Sequence, residues 1–209
     1  MQDTSRSFIS SAWPFIAAMA FIVVISNILV QIPFAHFNLG ELLTWGAFTY
    51  PFAFLINDLT NRRFGPAAAR KVVLVGFLIA VVLSIYFATP RIAIASGSAF
   101  LLAHLLDVAV FNRLRENAWW MPPLVSSVIG AAVDTVIFFG LAFAPRFAGL
   151  DFAFGMEDGS LGFPAGIFGI AMPLWISLAI GDFLVKVLIS LVALVPYGGF
   201  LKVLEPKAA

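Results

Sequence analysis

The chain is 209 residues long, 62% hydrophobic and only 11% charged, with a formal net charge of +1 and a mean hydropathy of +1.03. A soluble domain is about 45–50% apolar and about 25% charged, so this composition excludes a water-facing surface over most of the molecule. The lack of cysteine excludes disulfides, thiolate metal sites and thiol catalysis, and two histidines are too few for a His-rich metal centre.

Apolar runs predict membrane helices at about 13–35, 42–59, 71–88, 92–111, 123–144 and 167–195. Each is long enough, or nearly so, to cross about 30 Å of hydrocarbon. The first run exceeds the apolar stretch of a cleaved signal peptide and has no clear cleavage site, so it reads as a span. No period-2 alternation occurs and open sheet edges are not tolerated in lipid, so the expectation is an all-α integral membrane protein with six spans in one domain, 1–209. Pro66, just after Phe64-Gly65, suits the first turn of the third helix.

Basic residues set the expected orientation. With the N-terminus inside, the cytoplasmic segments hold Arg6, Arg62, Arg63, Arg70, Lys71, Arg113, Arg115, Lys202 and Lys207, against Arg91 and Arg146 outside. Both termini are then cytoplasmic, and in a bacterial cell the membrane is the inner one. The connection between the fifth and sixth runs, with Asp151, Glu157 and Asp158, falls outside.

Polar groups inside the runs are the candidates for function, because a charge at mid-bilayer costs at least about 2.5–3.5 kcal/mol. Asp58 and Arg62, four residues apart, read as a local ion pair at the inner surface. Asp107 reads as a structural or gating lock to the basic segment at Arg113, and His104–Asp107 as an i, i+3 hydrogen bond or a proton relay. Asp134 and Asp182 lie near the middle of their runs, and Lys186 is one turn beyond Asp182. They form either a buried ion pair that fixes helix packing or a carboxylate lining for a central cavity. Asn27 and Gln31 share a helix face, as ligand contacts or interhelical glue, and Ser96 lies on the outer half of the fourth run. Trp45 is either an interface anchor or a stacking platform.

No Walker-type phosphate loop and no H-E-x-x-H motif occurs. Ser96, Ser98 and His104 fall on one helix, which disfavours an intramembrane serine protease. No enzymatic activity, cofactor, metal or nucleic-acid partner is expected.

Longer stretches carry a resemblance. Thr44-Trp45-Gly46-Ala47-Phe48, Pro51-Phe52, Asn57-Asp58-Leu59-Thr60-Asn61-Arg62 and Phe64-Gly65 come first. Arg91-Ile92-Ala93, Leu106-Asp107-Val108 and Phe111-Asn112-Arg113-Leu114-Arg115 follow. Trp119-Trp120, Ser126-Ser127, Asp134-Thr135, Phe138-Phe139 and Asp182 with Lys186-Val187-Leu188 complete the series. In order and coverage these stretches resemble the queuosine precursor transporters, the vitamin uptake transporter family; the stretch 146–163 is the one not placed by the resemblance. The resemblance implies six helices arranged like the substrate-binding component of energy-coupling-factor transporters. It also implies import of 7-cyano- or 7-aminomethyl-7-deazaguanine, with a binding subunit for a separate ATPase module as the alternative. A carboxylate such as Asp134 or Asp182 can accept the adjacent ring N–H and amine of such a base. Asn27 or Gln31 can serve its carbonyl and ring nitrogens, and Trp45 or Phe48 can stack on it for about 1–3 kcal/mol. Oligomeric state and any ATPase partner stay open.

Overall fold

The computed structural model describes residues 2–29, 32, 34, 36, 43–167 and 170–204. Eight α-helices occur among them: α1 (Gln2–Leu29), α2 (Gly46–Thr49), α3 (Pro51–Phe64), α4 (Pro66–Phe87), α5 (Pro90–Leu114), α6 (Met121–Phe143), α7 (Gly149–Ala153) and α8 (Leu174–Leu204). Five of these, α1, α4, α5, α6 and α8, contain apolar stretches of 18 to 28 residues, long enough to cross a bilayer.

The expected second span does not form one regular helix. Pro51 has no N–H to continue the ladder, so the hydrogen bonding is interrupted between α2 and α3 although Tyr50 keeps helical angles: Tyr50 N–H reaches Gly46 O at 2.9 Å and Ala53 N–H reaches back only to Tyr50 O at 3.0 Å. The 14 residues of α3 rise about 21 Å, short of a full crossing. The expected sixth span, 167–195, is corrected as well. Its first residues lie in a two-stranded antiparallel hairpin, β1 (Pro164–Ile167) with β2 (Ile170–Pro173), and the helix starts only at Leu174.

Local chemistry explains the other boundaries. Gly65 takes φ 84°, in the left-handed region that suits glycine, and so ends α3 and lets Pro66 open α4. The Thr89 hydroxyl accepts from Ile92 N–H at 3.4 Å and Pro90 occupies the first helical position of α5. Pro122 and Pro123 sit in the first turn of α6, where their missing donors break nothing.

Helices α1, α3, α4 and α5 bury Met19, Val23, Ala53, Val72, Val73, Phe100 and Val108 against one another. The outward faces stay apolar: Leu78, Ile85, Val136, Leu184 and Val195 are more than half exposed, as a lipid-facing surface requires. At the junction of α3, α5 and α6, a side chain on Gly130 would meet Phe54 Cε1 at 2.6 Å and Ala103 O at 3.3 Å. Glycine is what lets the three helices close there.

Candidate functional site

The ends of α1, α2, α4, α5, α6 and α8 on one side of the helix array enclose a cavity of about 500 Å³. It is within the usual range for small-molecule sites, about 300–1,000 Å³. Its polar wall is built by α6 and α8. Lys186 Nζ lies 2.6 Å from Asp134 Oδ2 and 2.5 Å from Asp182 Oδ2, and the Thr135 hydroxyl donates to Asp182 Oδ2 at 2.8 Å. The i, i+4 spacing of Asp182 and Lys186 places them on one face of α8, and Asp134 meets them from α6. Two carboxylates therefore share one ammonium, a formal charge of −1, and all these contacts fall on Oδ2. No hydrogen bond among the described residues reaches Oδ1 of either acid.

Across the cavity stand Asn27, Ser96 and Tyr50, with the Tyr50 hydroxyl beside the other two. Asn27 Nδ2 donates to Val23 O at 2.9 Å, which fixes the amide's direction. Phe87, Phe138, Phe139 and Phe143 supply the apolar wall. Five of the expected contact residues, Asn27, Ser96, Asp134, Asp182 and Lys186, thus line one space. Trp45 and Phe48 do not. Both pack on Phe34, with ring centroids 4.9 Å away, in an aromatic cluster outside the cavity lining. Gln31 lies outside the described residues. Tyr50, Thr135 and the phenylalanines of α6 join the site without having been expected there. The signal for Tyr50 was its place just before a helix-breaking proline; Thr135 adjoins Asp134 in a helix where a lone hydroxyl needs a partner.

A second polar cluster lies deeper, among α3, α5 and α6, and revises three expectations. Asp58 does not pair with Arg62. Its carboxylate, 1% exposed, accepts from Ser126 and Ser127 on α6, each at 3.2 Å. Arg62 turns instead to the Tyr197 hydroxyl at 3.1 Å and Arg115 O at 3.1 Å, with its guanidinium 5.3 Å from the Phe111 ring centre. Helix packing brought closer partners from other elements than the one in its own helix. Nor does His104 bond Asp107: its Nδ1 meets Phe100 O at 2.9 Å, and its ring is stacked between Phe54 and Phe100 at 4.2 and 4.1 Å. Asp107 accepts from Asn57 Nδ2 at 2.6 Å rather than locking Arg113, which is exposed at the end of α5. Arg115 ties the helices there, donating to Asn61 O at 3.0 Å and Arg62 O at 2.6 Å.

Arg91, counted above only as an external charge, is 1% exposed. It donates to Asp151 Oδ2 at 2.6 Å, Leu141 O at 2.8 Å, Ala144 O at 2.7 Å and the Ser160 hydroxyl at 3.1 Å. One guanidinium thus ties the start of α5 to the end of α6 and to the following loop. At the loop's surface, the Ser160 hydroxyl and backbone N–H hold the Asp158 carboxyl below its ordinary range.

The sequence matches the family described as "Putative vitamin uptake transporter" over residues 44–89 and 84–200. It is 35% identical to the queuosine precursor transporter of Escherichia coli, over 90% of this chain and 85% of that one. It is 34% identical to the probable queuosine precursor transporter of Haemophilus influenzae, with the same coverage. With the probable queuosine precursor transporter of Bacillus subtilis it shares 27% identity over 96% of this chain and 97% of the other. No solved structure gives a significant match.

Proposed function

We propose, since this chain belongs to the vitamin uptake transporter family, that it carries queuosine precursors, 7-cyano- or 7-aminomethyl-7-deazaguanine, across the membrane into the cytoplasm. The observation that carries this reading is the chemistry of the 500 Å³ cavity: paired carboxylates on a shared lysine facing an amide, two hydroxyls and a phenylalanine wall. A deazaguanine presents an N–H and an exocyclic amine side by side, and the Oδ1 atoms of Asp134 and Asp182 are the acceptors left to meet them. Asn27 and Ser96 suit the carbonyl edge. The flat ring fits against Phe138 or Phe139, which takes over the stacking role first given to Trp45 and Phe48.

Six crossings are part of the same proposal, with α2 and α3 together making the sixth, both termini cytoplasmic and the inner membrane as host. The basic residues at the far ends of α3, α5 and α8 support that orientation, as does a cavity placed among the opposite helix ends. The arrangement of energy-coupling-factor binding components remains the expected comparison for the fold. A binding subunit for a separate ATPase module is not favoured, since the relatives carry the name transporter.

The test is nutritional. Cells that cannot make the precursors are supplied with each base at low concentration, with and without this chain, and queuosine is measured in tRNA. Queuosine only in its presence is the expected result. Equal queuosine in both, with the protein shown to be in the membrane, sinks the proposal.

A further inference from the structure

Asp58 and Asp107 differ from the cavity acids in having no cation. Both are 1% exposed or less, and no lysine or arginine nitrogen forms an ion pair with either among the described residues. The two carboxyls face each other, with Asn57 from α3, Ser126 and Ser127 from α6 and, beside Asp58, Tyr197 from α8. The charged or titratable groups around this cluster are His104 and Arg115 from α5, Arg62 from α3 and Lys186 from α8. Arg70 and Lys71 of α4 lie on its exposed side. Arg62 and Arg115 are committed to carbonyls and Tyr197, and Lys186 to the cavity acids.

The cluster is short of hydrogen. Asp107 Oδ1, Asn57 Oδ1, Asn61 Oδ1 and His104 Nε2 are all buried acceptors without a donor. Native proteins leave few such atoms, and each one asks what is missing. Asn57 gives Nδ2 to Asp107 Oδ2 at 2.6 Å, which sets the amide against the carboxyl. A hydrogen on Asp107 would make one of its oxygens a donor, toward the orphan Asn57 Oδ1 or the Asp58 carboxyl that faces it. A metal ion would need space. The small void beside Asp58, about 10 Å³, is water-sized, and none of the orphan atoms' residues lines it.

We propose that Asp107, supported by Asn57 and Asp58, is a proton-binding site, and that its loading is coupled to occupancy of the cavity. The coupling rests on the transport reading given above; the proton site does not. Ser190 is the link between the two. Its hydroxyl donates to Lys186 O at 2.8 Å, one turn below the cavity ammonium, and the same residue lines the small void with Asp58 and Ser127. A ligand held on Asp134 and Asp182 bears on the turn of α8 that carries Lys186 and Ser190, and this turn is the path by which occupancy reaches the acids below. One proton binds the Asp107 carboxylate on loading and leaves it as the carboxylate on release; no other bond changes.

Two measurements test this. Infrared spectra of the purified chain, taken without any base, should show a carboxylic-acid carbonyl band at neutral pH that disappears in Asp107→Asn and shifts in Asp58→Asn. A spectrum with no such band, or with a band both variants leave untouched, overturns the proton site. In vesicles holding the chain alone, an inward proton gradient should raise accumulation of labelled 7-aminomethyl-7-deazaguanine by up to about tenfold per pH unit. Asp107→Asn should lose this response while base-for-base exchange persists. Accumulation indifferent to the proton gradient, or driven by sodium alone, overturns the coupling. A wild-type chain that exchanges no base sinks the transport reading and the coupling with it, while the infrared band still decides the proton site.

Discussion

At Lys186 one ammonium holds two carboxylates from different helices, and removing it leaves Asp134 and Asp182 facing each other with nothing between. Lys186→Ala should therefore cost about 3–5 kcal/mol of stability, read as a lowered thermal midpoint in detergent, because a buried pair is broken from one side. On the proposed reading, loss of either acid acts on the ligand instead. Asp134→Ala and Asp182→Ala should each reduce uptake at low substrate about 10- to 100-fold, the worth of about 1.5–3 kcal/mol for a charged hydrogen bond. If both variants import normally, the cavity is not the binding site. Phe138→Ala should weaken apparent affinity about fivefold or more, while Trp45→Ala, outside the lining, should change it less. The reverse order would restore the aromatic role expected from sequence. Sequence alone does not give the direction of Trp45, because residues 44–48 look the same whether it faces the cavity or packs on Phe34.

Among the elements, the contact of α6 with α3 and α5 is governed by one missing methyl group. Gly130→Ala would press a Cβ against Phe54 and against the Ala103 carbonyl, which is backbone and has little freedom to give way. It should cost about 1–3 kcal/mol as overpacking. Gly140→Ala on the same helix meets nothing within 4 Å. It should be neutral or stabilising by up to about 1 kcal/mol, through helix propensity alone. Thermal unfolding of the pair decides it: equal midpoints would mean that the close approach at Gly130 is not a constraint. Helix identities were readable from apolar length, and most boundaries from Gly65-Pro66, Thr89-Pro90 and Pro122-Pro123. The hairpin at 164–173 was not, because Ile167, Ile170 and Met172 continue the apolar run of α8 without a polar interruption. Pairing between the two short strands, together with Pro173 at the junction, separates them from the helix.

For the molecule as a whole, the Arg91 clamp decides whether the loop after α6 is held or free. Arg91→Ala should leave Asp151 buried without its partner, lower stability by about 3–5 kcal/mol and speed amide exchange across residues 144–160. Arg91→Lys should rescue only part, since one ammonium cannot reach two carbonyls, a carboxylate and a hydroxyl in the planar arrangement of a guanidinium. Unchanged exchange in both variants would show that the loop is held by other means. Orientation is open to a direct check because the chain has no cysteine of its own. Glu157→Cys should react with an impermeant thiol reagent added to intact cells, and Glu116→Cys only after the membrane is opened. The opposite pattern inverts the topology.

The membrane class, the long helices and the family were all determined by the sequence itself. Apolar length and sparse charge are one-dimensional properties, and the ordered signatures run along nearly the whole chain. Sequence also marked which polar residues are anomalous in lipid, since a buried charge is conspicuous wherever it points. Tertiary structure alone decided the partners. Asp58 chose Ser126 and Ser127 over Arg62, and Asp107 chose Asn57 over His104 and Arg113. Arg91 left the surface count to become a buried clamp. The reason is geometric: each of these side chains reaches a few ångströms, and which donor lies within that reach is set by the packing of helices distant in sequence.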